Sequence, residues 1–217
     1  MRNLSEIVEY LVRRYYYYSL ENIIARELKG SYLICDIGCG KGDFAQTIKK
    51  IIKRPISLYG CDIWKPYIDI AQDKKCYSDL IQCDIKKLPY QSDMFDAAIV
   101  INVIEHLDKN AGYEEEFCRI SNKKVIITTC KGYWDNPELD DNPHQKHLSG
   151  HSVEDFRKMG YIVYGYGSRF ICGEMYKSGK IPNAIRPVFS FLSHISTCIT
   201  YYFPSLADLL ICVKDKK

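Results

Sequence analysis

The segment from Leu33 to Gly42, Leu-Ile-Cys-Asp-Ile-Gly-Cys-Gly-Lys-Gly, constrains the fold more than any other part of the chain. The apolar run from Tyr32 to Ile37 reads as a buried strand, and a helical pattern follows from Asp43 to Lys53. Between them stand three alternating glycines, Gly38, Gly40 and Gly42, with Asp36 just before them. Glycines at a strand-to-helix turn let the backbone come close to a ligand, because no Cβ intervenes. The spacing G-x-G-x-G differs from the G-x-G-x-x-G of a dinucleotide-binding turn, and no Gly-Lys-Ser/Thr ending marks a phosphate-binding loop.

The segments that follow repeat one pattern. Ile56 to Cys61 reads as a second strand and ends at Asp62; Asp79 to Cys83 reads as a third and ends at Asp84-Ile85. Phe95 to Asn102 forms a fourth, opening on Phe95-Asp96 and running into Val103-Ile104-Glu105-His106-Leu107. Val125 to Thr129 makes a fifth. A strand-end carboxylate can accept both hydroxyls of a ribose. The glycine loop, the acidic strand ends and the Glu-His-Leu signature together resemble the class I S-adenosylmethionine-dependent methyltransferases, of the type 11 or ubiquinone-methyltransferase-like kind, over roughly 33–129. The resemblance implies an α/β, Rossmann-like seven-stranded sheet in the order 3-2-1-4-5-7-6, the seventh strand antiparallel, with helices on both faces. It implies S-adenosylmethionine as cofactor. Cofactor contacts then fall on Asp36, Gly38, Cys39, Gly40, Asp62, Ile63, Asp84, Ile85 and Asn102, with Asp62 on the ribose and Asp84-Ile85 around the adenine.

With 217 residues the chain suits one well-buried α/β domain. The reading divides it into a leading helix at 1–30, a cofactor-binding half at 31–130 and an acceptor side at 131–217, with a cap at 168–205. Thirty basic and 27 acidic side chains leave a net charge of +3, too balanced to suggest nucleic acid by bulk charge. Ten cysteines, largely in apolar runs and without C-x-x-C zinc spacing, read as reduced core thiols of a cytoplasmic protein without a signal peptide.

Ser5 to Leu28 carries a helical pattern containing the run Tyr15 to Tyr18, of which at least two rings fit the surface. From Lys131 to Gly150 periodicity stops in a long loop rich in Asn, Asp, Pro and Gly. It follows the fifth strand at its carboxyl end, where open α/β sheets bind ligands. Ser152 then opens a helix with capping chemistry, and Tyr161 to Tyr166 reads as a sixth strand. His144, His147 and His151 lie in or beside the loop. Pro143 and Gly150 argue against one helix aiming all three at a metal, so no metal is expected. His144 and His147 are the candidate catalytic groups, one as general base. Val188 to Phe203, between Pro187 and Pro204, has one apolar helical face and one face of Ser and Thr. Its apolar face is expected to cap the acceptor pocket or pair with a second copy, with peripheral membrane contact and oligomerisation left open. Ala207 to Val213 completes the set as the seventh strand.

These features lead to methyl transfer onto a small-molecule, sugar or lipid-like acceptor at oxygen, with no nucleic acid. A non-catalytic cofactor-binding or scaffold protein of the same fold is the alternative.

Overall fold

The computed structural model describes residues 16–109, 111–136, 141–168 and 186–216. Their strands form one seven-stranded sheet, β3-β2-β1-β4-β5-β7-β6. The strands are β1 Leu33–Ile37, β2 Ser57–Asp62, β3 Asp79–Gln82, β4 Phe95–Ile101, β5 Ser121–Cys130, β6 Ile162–Tyr166 and β7 Leu209–Asp215. β1 to β5 run parallel to one another, while β7 runs antiparallel to both β5 and β6. The expected order and the reversed last strand are both present.

β1 is apolar because both of its faces are covered. Its alternation sends Ile34 into one core with Ile23, Ile24, Leu28 and Ile48, and sends Cys35 and Ile37 into the other with Phe117, Ile120 and Phe156. Helix α1 (Leu20–Glu27) and helix α2 (Asp43–Ile51) supply the first layer. Helix α3 (Lys65–Asp73) follows β2. Helices α4 (Tyr113–Ile120) and α5 (Val153–Lys158) supply the second layer, and α5 starts on a capping box between Ser152 and Asp155.

Most boundaries shift by one or two residues from the sequence reading, and two shift further. β5 begins at Ser121 rather than Val125, since the polar Ser121–Lys124 stretch pairs with the start of β4 across a register shift. Of the predicted helix Ser5–Leu28, residues 1–15 lie outside the described residues, and 16–19 do not continue α1. Ser19 caps α1 by accepting from the Asn22 N–H, and the Asn22 amide donates to the Tyr16 carbonyl at 2.9 Å, which holds a turn there.

The segment after β6 differs more. Helix α6 (Arg186–Thr200) packs against β6 at the far edge of the sheet. Its hydroxyl face is the buried one. Thr197 is 0% exposed and accepts from the Gly167 N–H at 3.0 Å, and Ser193 accepts from the Ser168 N–H at 3.1 Å. Val188, Phe191, Leu192, Ile195 and Ile199 face outward, Ile199 at 57% exposed. The expected orientation is therefore reversed, because the end of β6 presents backbone donors that need hydroxyl partners. Among the described residues no helix is long and apolar enough to cross a membrane.

Candidate functional site

The sheet order reverses between β1 and β4, so the carboxyl ends of β1, β2 and β4 splay around a crevice. A cavity of about 320 Å³ fills it. All nine candidate cofactor residues, Asp36, Gly38, Cys39, Gly40, Asp62, Ile63, Asp84, Ile85 and Asn102, line this one cavity.

The glycines shape it. Gly38 has φ +69, and a Cβ there would stand 2.4 Å from Val103 Cγ2, so only glycine lets the loop pass Val103. Gly40 has φ +52 and lines the cavity, where a Cβ would come no nearer than 4.0 Å to a neighbour, Tyr67 Cδ2. Gly42, also left-handed, begins α2.

The carboxylates are held before any ligand arrives. Asp62 Oδ2 accepts from the Gly40 N–H at 2.9 Å and Oδ1 from the Trp64 N–H at 2.8 Å. Burial raises the Asp62 pKa, while these donors act to lower it. Asp36 is 2% exposed, and burial pushes its pKa up to about 7 against a 2.6 Å hydrogen bond from the Tyr77 hydroxyl. Asp84 is exposed and closes a turn by accepting from the Lys86 N–H, with Ile85 buried beside it. Asn102 sits at φ +52, its N–H bonded to the Thr128 carbonyl and its Oδ1 accepting from the Thr128 hydroxyl.

The long loop folds over the crevice through a short turn at Pro143–Gln145. Asn142 caps that turn by accepting from the His144 N–H at 2.9 Å. Asn142, His144 and Gln145 line the cavity. His144 is exposed there, its ring 6.0 Å from that of Trp64. His147 does not line it. Its ring is buried between Trp134 and His106, and its Nδ1 meets the Trp134 carbonyl at 3.0 Å. His151 pairs with Ser149. The three loop histidines therefore do not converge.

Sequence reasoning missed two contributors. Tyr77, before β3, reaches back to Asp36. The Glu105-His106 pair meets the loop: Leu148 and Ser149 donate to the Glu105 carbonyl, and His106 Nδ1 lies 3.2 Å from the Lys146 carbonyl. The Glu-His-Leu signature was visible, but its partner in the loop was not. The 168–205 segment was expected over the pocket. Its residues 169–185 lie outside the described residues, and α6 lines no part of the cavity.

A family model described as a methyltransferase domain matches residues 35–127, the stretch that builds this crevice. Over that stretch the chain matches a methyltransferase domain, which supports a class I S-adenosylmethionine-dependent methyltransferase. A probable tRNA methyltransferase 9B of Bos taurus is 36% identical over 81 residues, covering 37% of this chain and 16% of that protein. The tRNA (carboxymethyluridine(34)-5-O)-methyltransferase of Arabidopsis thaliana is 35% identical over 80 residues, covering 37% of this chain and 18% of that protein. The matches thus span less than a fifth of either relative. The crystal structure of a SAM-dependent methyltransferase from Thermotoga maritima has a TM-score of 0.58 at 16% identity, covering 99% of this chain and 96% of that one, and shows the shared fold.

The relatives overturn two expectations: a small-molecule, sugar or lipid-like acceptor, and the exclusion of nucleic acid as partner. Net charge misled because it averages over the whole surface, whereas contact with a polyanion depends on the few groups around one cleft.

Proposed function

We propose that this methyltransferase domain acts on an RNA acceptor. The observation that carries the reading is that about 80 residues of the chain are 35–36% identical to enzymes named for tRNA. When bound, S-adenosylmethionine supplies an electrophilic methyl group on a sulfonium. The cavity fits such a group in size and in its donor set. Asp62 takes the ribose hydroxyls, Asp84 and the Ile85 backbone take the adenine edge, and Asp36 with the Gly38–Gly40 backbone takes the amino-acid end. Cys39, Ile63 and Asn102 complete the wall.

His144 and Gln145 stand at the acceptor mouth, with Trp64 beside His144 and Lys41 on the same rim. An exposed imidazole with a half-buried indole and a half-buried lysine at a mouth suits an unstacked base and its phosphates better than an apolar acceptor. In this arrangement His144 is the group placed to receive a proton from the acceptor. His147, turned away, holds the loop. All nine described cysteines are free thiols, which suits a reducing, cytoplasmic setting.

The test is transfer of labelled methyl from S-adenosylmethionine into total cellular RNA. Label that ribonuclease releases supports the reading. Label confined to protein or small-molecule fractions sinks it.

A further inference from the structure

At the cavity wall, which His106 lines, Glu105, His106 and His147 bring one donor atom each to within 4.8 Å of one another. We propose that these three side chains form a binding site for a divalent cation of the zinc class. The arrangement meets what a metal site needs. His106 Nδ1 lies 3.2 Å from the Lys146 carbonyl, and His147 Nδ1 lies 3.0 Å from the Trp134 carbonyl. A carbonyl only accepts, so each Nδ1 carries the hydrogen, and each neutral ring has its lone pair on Nε2. A histidine held by its second nitrogen on a carbonyl is the usual support of a metal ligand. Glu105 has the same kind of support: its Oε2 accepts from the Thr129 hydroxyl at 2.8 Å.

Charge points the same way. Glu105 is 2% exposed, and among the described residues no lysine or arginine pairs with it. A dication would neutralise that buried carboxylate. Two imidazoles and one carboxylate favour zinc, cobalt, nickel or manganese over magnesium, which prefers oxygen donors. Zinc–nitrogen bonds of about 2.0–2.1 Å put tetrahedral ligand atoms about 3.3 Å apart. Donor atoms 4.8 Å apart would therefore close by about 1.5 Å to reach that spacing.

The site also joins two parts of the fold. Glu105 and His106 follow β4, whereas His147 belongs to the loop after β5. A cation would tie that loop down over the crevice. His106 borders the cavity, so the fourth position left by three protein ligands would take an oxygen of the acceptor. That role rests on the proposed RNA methyl transfer; cation binding does not.

The experiment equilibrates the full chain with zinc chloride, removes unbound metal by gel filtration and measures zinc by mass spectrometry. We expect one equivalent on the wild type and on His194→Ala, whose histidine lies on α6. Glu105→Gln, His106→Gln and His147→Ala should each lose at least about tenfold in zinc affinity, measured by competition with a chromophoric chelator. His106→Gln, the least buried of the three, guards against a folding defect, checked by circular dichroism. Cobalt should give the intense visible absorption of a tetrahedral site in the wild type and lose it in the folded variants. A wild type that retains no zinc, or folded variants that retain it equally, overturns the site. Calorimetry with S-adenosylhomocysteine runs in parallel: its failure with zinc retained would sink the methyltransferase reading and leave the cation site standing.

Discussion

The Gly40 backbone N–H donates to Asp62 Oδ2 across 2.9 Å, so the end of β2 holds the glycine loop in place. Asp62→Ala removes that anchor, the acceptor for the Trp64 N–H and the proposed ribose partner together. Hydrogen bonds to a charged group are worth about 1.5–3 kcal/mol, so affinity for S-adenosylhomocysteine should fall more than about tenfold. Asp62→Asn keeps one acceptor oxygen and should fall between the two. Calorimetry decides, and undiminished affinity in the alanine variant would make Asp62 a structural cap alone.

Gly38→Ala should destabilise more than Gly30→Ala. Both glycines have positive φ, +69 and +86, so both variants incur about 1–2 kcal/mol of left-handed strain. Only at Gly38 does the new methyl meet a neighbour, Val103. Denaturant midpoints of the two variants, and of Gly38→Ala with Val103→Ala, separate strain from collision. Equal midpoints for the two single variants would show that Val103 moves aside at no cost.

Asp36 should make the unliganded fold less stable as pH rises. Burial lifts its pKa from 3.8 to about 7, so between those values the folded state binds a proton that the unfolded chain releases. Stability contributed by this group is greatest below about pH 4 and declines as pH climbs through 7. Asp155, held down at about 2 by Lys109 and Ser152, acts in the opposite sense at much lower pH. Melting temperatures of the wild type and Asp36→Asn from pH 5 to 8 isolate the effect. The wild type should lose ground against the variant across that range, and parallel curves would refute it. A cationic ligand favours the carboxylate, so cofactor binding should strengthen with pH through the same window.

Thr197→Val and Ile199→Ser test which face of α6 matters. The first leaves the buried Gly167 N–H without its acceptor and should cost about 1–3 kcal/mol. The second changes a side chain already in water and should stay within about 0.5 kcal/mol. The reverse ranking by chemical denaturation would restore the apolar face as the packed one.

The contrast between the loop and α6 shows what a sequence discloses. Asp36, Asp62 and Asp84 each end an apolar run, and Gly38 to Gly42 sit between a strand and a helix, so the cofactor crevice could be read from local order. α6 could not, because its orientation depends on unpaired N–H groups after β6, thirty residues from Thr197. The contact between His147 and His106 spans two loops and leaves no periodic trace. α3 and α4 open on Trp64 and Gly112 with no side-chain cap, so they lack the start signal that Ser152 gives α5.

Buried thiols on the central strands give the protein an internal clock. Cys35 on β1, Cys61 on β2 and Cys212 on β7 have no solvent exposure, and none is bridged. An alkylating reagent can reach them only when the sheet parts, so their rate of modification reads the opening of the core. Cys198, exposed on α6, would react at once and serve as the internal standard. Slowing of the strand cysteines on adding an adenosyl ligand would then measure, in units of time, how firmly the crevice closes the sheet beneath it.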